Sequence, residues 1–184
     1  MNKKLAAALS GSAVLMLVLS GCGEDVDDKN ADTWAKKVCD GWQPNLKKIE
    51  GANAEIKRVS TESSKPEEVQ KTDSAAFQQI SDAYKAMADS LNQAGAPPVK
   101  DGATTLSESV KGFEGTSKGY ADLKAKMDAL DATDQGKFAE GLKGVASGLE
   151  EATNGGKEAL DHLRAGGLEK ALNGQKGCQV GSGK

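Results

Sequence analysis

The chain has 184 residues, 38% of them hydrophobic and only 4% aromatic, and carries a formal net charge of −3. That length suits one domain with a real core, and the acidic balance argues against nucleic acid or anionic headgroups as partners. A single histidine and three cysteines leave few ligands for zinc or redox chemistry.

Met1-Asn2-Lys3-Lys4 is a short positive segment, and Leu5–Leu19 follows as an uncharged, mostly apolar run. The layout is that of a secretory signal, and the run is shorter than the roughly 20 residues of a membrane span. An Ala-x-Ala cleavage site is absent. Leu19-Ser20-Gly21-Cys22 instead resembles the lipobox of bacterial lipoproteins, with a branched apolar residue, two small residues and a cysteine. The resemblance implies cleavage before Cys22 and transfer of a diacylglyceryl group (two palmitate-like chains) to its thiol, whose thiolate supplies the necessary nucleophile. Two acyl chains suffice for stable anchoring at the outer face of the plasma membrane. The alternative is an ordinary cleaved signal with a stray cysteine nearby. Removing residues 1–21, which hold Lys3, Lys4 and no acid, takes the net charge from −3 to −5. Residues 22–31 then read as the lipidated N-terminus and a polar, disordered tether, 32–178 as a folded domain and 179–184 as a disordered tail.

Helical periodicity runs through the domain, and strand alternation is absent. Trp34, Val38, Trp42, Ile49, Ile56 and Val59 mark one face of a first helix, which Pro44 should kink or restart. After the polar link Ser60–Glu68, with Pro66 suited to a first helical position, a second helix carries Val69, Phe77, Ile80, Tyr84, Met87 and Leu91. A third has Val99, Leu106, Val110, Phe113, Tyr120, Leu123, Met127 and Leu130. Asp131–Gln135 is a turn and N-cap signal. The fourth holds Phe138, Leu142, Val145, Leu149, Ala152, Leu160 and Leu163, with a break expected at Gly166-Gly167 and a last piece to Leu172.

Four such helices, each of about 30 residues and near 45 Å long, predict an all-α, up-down-up-down four-helix bundle. With Cys22 assigned to lipid, Cys39 and Cys178 remain, and an exported pair is read as one disulfide; two free thiols are the alternative. An even number of alternating helices brings the start of the first beside the end of the fourth, where the bond needs them. Trp34–Ile56, after a lipobox and before a distant C-terminal cysteine, resembles actinobacterial small secreted lipoproteins. That resemblance implies no activity.

Catalytic chemistry finds no foothold. His162 stands beside the apolar face as a surface residue, without the Glu at i−3 that a di-iron site needs, since Ala159 is there. Met87 and Met127 fit core positions better than axial haem ligation. The pairs Glu67-Glu68 and Glu150-Glu151 suit solvated faces. Lys36, Lys47 and Arg58 line one face of the first helix, but Asp40 and Glu50 interrupt the stripe, as on an ordinary bundle surface. Glycine is the unusual feature. Gly141, Gly144, Gly148 and Gly155 line the flank of the fourth helix, and Gly112, Gly115 and Gly119 the expected outer face of the third. Each costs a helix about 0.8–1 kcal/mol against alanine. They are either inexpensive products of high-GC codons or a contact face. The expectation is a non-enzymatic, cofactor-free, lipid-anchored module that binds an envelope protein or cell-wall polymer. The alternative is a small-ligand sensor or carrier with its pocket inside the bundle.

Overall fold

The computed structural model describes residues 28–61 and 63–179. They form α1 (Asp28–Val59), α2 (Pro66–Ala94), α3 (Gly102–Asp128), α4 (Gln135–Leu163) and the short α5 (Glu169–Asn173), with no strand among them. The all-α, four-helix bundle is therefore the architecture, tied by one disulfide between Cys39 and Cys178, whose Cα atoms lie 5.0 Å apart. The proposed signal, Cys22 and most of the tether lie outside the described residues, as do residues 180–184.

Local chemistry sets the boundaries. Asp134 caps α4, its Oδ1 accepting from the Lys137 N–H at 3.0 Å. Pro66 opens α2, where its missing N–H costs nothing. The turn before α3 is so tight that a Cβ on Gly102 would stand 2.1 Å from the Pro97 carbonyl oxygen. Only glycine fits there. The break after α4 falls at Gly167, whose φ of 89° disfavours other residues.

Three expectations are corrected. Asp28–Ala31, expected in the tether, belong to α1, where Ala31 is buried and Asp28 pairs with Lys170 at 2.8 Å. A negative charge in the first turn also suits the helix dipole. And α1 runs on through Pro44 rather than restarting. The proline deprives the Asp40 carbonyl of its usual donor, and in the same turn the Asn45 side chain donates to the Gly41 carbonyl at 3.0 Å. Val99, expected on the third helix, instead sits in the turn, its N–H bonded to Pro97 O.

Each helix packs on the next: α1 on α2, α2 on α3, and α3 on α4. Trp42 Nε1 donates to the Met87 carbonyl at 3.0 Å across α1 and α2, and the Ser81 hydroxyl donates to the Ser117 carbonyl at 2.8 Å across α2 and α3. Between α1 and α4 there is almost no close approach. At one end α5 and the turn Lys176–Cys178 pack against α1 instead, held by the disulfide. The core accordingly falls into two parts. Trp34, Val38, Trp42, Leu91, Phe113 and Leu163 fill the disulfide end, while Phe77, Ile80, Leu123, Met127 and Phe138 fill the other.

The glycines belong to this packing. Cβ atoms built on Gly112 and Gly119 would meet the methyl groups of Ala159 and Ala152 at 2.6 and 3.1 Å. Built on Gly148 and Gly141, they would meet Leu123 and Leu130 at 2.9 and 2.4 Å, and Gly155 faces Thr116 at 3.3 Å. Every step along α3 is matched by an equal and opposite step along α4, so these pairs form one antiparallel seam. Gly112 and Gly119 therefore face α4 instead of lying on an outer surface. Bare backbones let two helices approach closely, and the packing gained offsets the poor helix propensity of glycine.

One core position carries an acid. Asp73 is 7% exposed, its Oδ1 has no hydrogen-bond partner, and burial pushes its carboxyl up to about 6. An unfolded aspartate titrates near 3.9. Below that value the group is neutral in both states and costs nothing. As pH rises toward 6 the folded state holds its proton longer, and stability falls by about 3 kcal/mol, complete above 6. Asp73→Asn should therefore raise the unfolding free energy by about 1–2 kcal/mol at pH 7.5, since an amide still needs partners, and by much less at pH 4. Thermal unfolding at both pH values checks this; an equal gain at both would rule out ionisation as the cause.

Candidate functional site

Five aromatic rings form a continuous ladder through the bundle. Trp42 meets Phe113 edge-on at 5.1 Å, Phe113 stacks on Tyr84 at 6.0 Å, Tyr84 on Tyr120 at 5.8 Å, and Tyr120 tilts onto Phe77 at 6.2 Å. Such pairs stabilise beyond the area they bury. They come from α1, α2 and α3, so the ladder holds three helices together. Where α4 would complete the ring, Gly156 lays bare backbone against Tyr84, whose hydroxyl would lie 3.0 Å from a Cβ there.

Beside this ladder, at the disulfide end, is a partly enclosed cavity of about 120 Å³. Trp42, Tyr84, Met87 and Phe113 form its apolar walls, and Leu172 and Cys178 bring the C-terminal segment over it. Arg164 and Asn173 are its polar edge; no carboxylate lines it. The Tyr84 hydroxyl makes no hydrogen bond among the described residues, and burial, with Tyr120 close by, pushes its pKa up to about 12. It stays a neutral donor at physiological pH. Arg164 contacts only Asp161, with one nitrogen at 3.6 Å, and its side chain is 42% exposed. Leu46, Ile49 and Ile56 of α1 and Leu142, Leu149 and Leu160 of α4 are half-buried and pack against the two parts of the core.

The residues singled out from sequence have other places. Cys22 lies outside the described residues. Gly141, Gly148 and Gly155 are engaged by α3, while Gly144 is exposed with nothing within 4 Å of a built Cβ. On the outer side of the same seam runs an open furrow of about 440 Å³, floored by Gly112, Gly115 and Gly155. His162 sits at its edge, exposed, its Nδ1 3.8 Å from Glu108 Oε2. Met87 and Met127 are buried core residues. The basic stripe is a mixed-charge surface: Lys36 pairs with Asp40, and Arg58 with Glu55 and Glu68, whose hydrogen bonds hold its guanidinium pKa up. No three metal-ligating side chains cluster among the described residues, and no described helix is long and apolar enough to cross a membrane.

Sequence reading missed the cavity, because Trp42, Tyr84 and Phe113 fit a core face and nothing in spacing tells a filled core from a hollow one. Asp73 was legible. It stands one turn before Phe77 and two before Ile80, on the apolar stripe of α2. Fold and site together define a class, a disulfide-tied helical bundle whose first and last long helices make almost no close approach. Beyond that class the comparisons with known proteins are silent: no family model, no curated protein and no solved structure matches this chain.

Proposed function

We propose that the protein is exported, lipidated at Cys22 and held at the outer face of the plasma membrane, where it works as a non-enzymatic binding protein for a small apolar ligand. The observation that carries this reading is the open side of the bundle. α1 and α4 make almost no close approach, and a cavity walled by aromatic rings lies between them at the disulfide end. Small-molecule sites are concave, mostly apolar and often placed between helices. Closing the gap around a ligand would bury more apolar surface, at about 25 cal/mol per Å². A partner docked on the glycine flank has less support, because Leu130 and Leu123 already stand against Gly141 and Gly148.

Two measurements test the proposal. Mass spectrometry of the mature protein should find a diacylglyceryl mass on an N-terminal Cys22, and Cys22→Ser should abolish it; a chain that starts elsewhere without lipid removes the anchor. Short aryl or alkyl alcohols such as 4-phenylbutanol should raise the melting temperature saturably, as any ligand of the folded state does. No shift at millimolar concentration would remove the pocket. Filling the cavity with Leu160→Phe should suppress the shift.

A further inference from the structure

We infer that the cavity beside the aromatic ladder takes a small monocarboxylate with a ring-sized apolar body, its carboxylate received by Arg164 and the Tyr84 hydroxyl. This rests on the reading of the open side as a ligand site and specifies what enters it.

Size comes first. A cavity of about 120 Å³ is comparable to an apolar cavity of roughly 150 Å³ that accommodates benzene, so one ring or a short branched chain fits. The walls agree. Trp42, Tyr84 and Phe113 give it an aromatic lining, and Met87 offers a polarizable sulfur that packs well against rings.

Charge decides the rest. An aromatic-walled cavity ordinarily suggests a cation, drawn to ring faces. Here the only charged side chain in the lining, among the described residues, is Arg164, which would repel one. The polar groups able to meet a ligand are mainly donors. Tyr84 has an O–H without a hydrogen-bond partner, and a guanidinium has five N–H donors, of which Asp161 approaches one nitrogen at 3.6 Å. Asn173 at the edge can donate as well. A carboxylate fits donors of this kind, and a guanidinium can receive it through two parallel hydrogen bonds. The body of such a ligand lies against the rings and its charge at the solvent edge, so the anion keeps part of its hydration.

The test uses the mature protein anchored in phosphatidylcholine vesicles and titrated calorimetrically, with protein-free vesicles as the blank. The ligands are 4-phenylbutyrate, 4-phenylbutanol and 4-phenylbutylamine at pH 7.5. 4-Phenylbutyrate should bind about tenfold more tightly than the alcohol, and the amine most weakly. Arg164→Gln should bring acid and alcohol within twofold of each other, while Arg164→Lys should keep most of the preference. The side chain is substantially exposed, so neither change threatens folding. Equal binding of acid and alcohol in the unmodified protein, or a preference that survives Arg164→Gln, overturns the carboxylate assignment and leaves the apolar site standing. Tighter binding of the amine reverses the sign. Binding by none of the three overturns the site itself, and the proposed function with it.

Discussion

Cys178→Ser lowers the melting temperature by about 10–20 °C, the largest effect expected of any single change in the domain. The bond joins residues 139 positions apart, and closing so long a loop removes about 5 kcal/mol of entropy from the unfolded chain, less any native strain. For a domain of this size each kcal/mol moves the midpoint by about 2–4 °C. The folded state loses something too. The bond pins the segment that carries Leu168 and Leu172 into the core against α1, and Gly177 lies so close that a Cβ would stand 2.6 Å from the Cys39 carbonyl oxygen. Without the bond, the segment keeps this packing and the exposed Asp28–Lys170 pair, and exposed pairs contribute little. Because Leu172 and Cys178 also line the cavity, the same variant should bind 4-phenylbutanol more weakly. Calorimetry with and without reductant checks the first claim. A fall of under about 3 °C would mean that the unfolded chain is compact enough for the link to restrict it little.

Gly112→Val should cost about 1–3 kcal/mol, where Gly144→Ala should add about 0.8–1 kcal/mol. Both place a side chain on a helical glycine, and propensity alone predicts gains for alanine anywhere in these helices. Position reverses the sign. At Gly112 the new Cβ meets the Ala159 methyl at 2.6 Å, so α3 and α4 must separate along the whole seam. At Gly144 nothing lies within 4 Å, and only the entropic benefit of a Cβ remains. Chemical denaturation of the two variants checks the pair. A stabilising Gly112→Val would show that the seam carries no energy and return the glycines to codon composition.

Much of this protein is legible in order of residues alone. Apolar spacing of threes and fours located four helices, because one face must be buried wherever a helix meets a core. Pro66, Asp134 and Gly167 mark boundaries for reasons of backbone chemistry that act within a few residues. The pairing of Cys39 with Cys178 comes from the two cysteines left in a chain read as exported, and the helix number agrees, since an even count of alternating helices returns the chain to its starting end. What tertiary structure decided is which faces are satisfied and which are left over. Gly112 and Gly119 seemed to lie outside the apolar stripe of α3, yet they meet alanine methyls of α4, and a glycine's role depends entirely on what approaches its missing Cβ. The separation of α1 and α4, the cavity beside Tyr84 and the donor set at its edge depend on how two helices 76 residues or more apart in the chain stand to each other. Periodicity assigns a residue to a face. Only packing shows whether that face has a partner, because burial belongs to pairs of elements and not to either one.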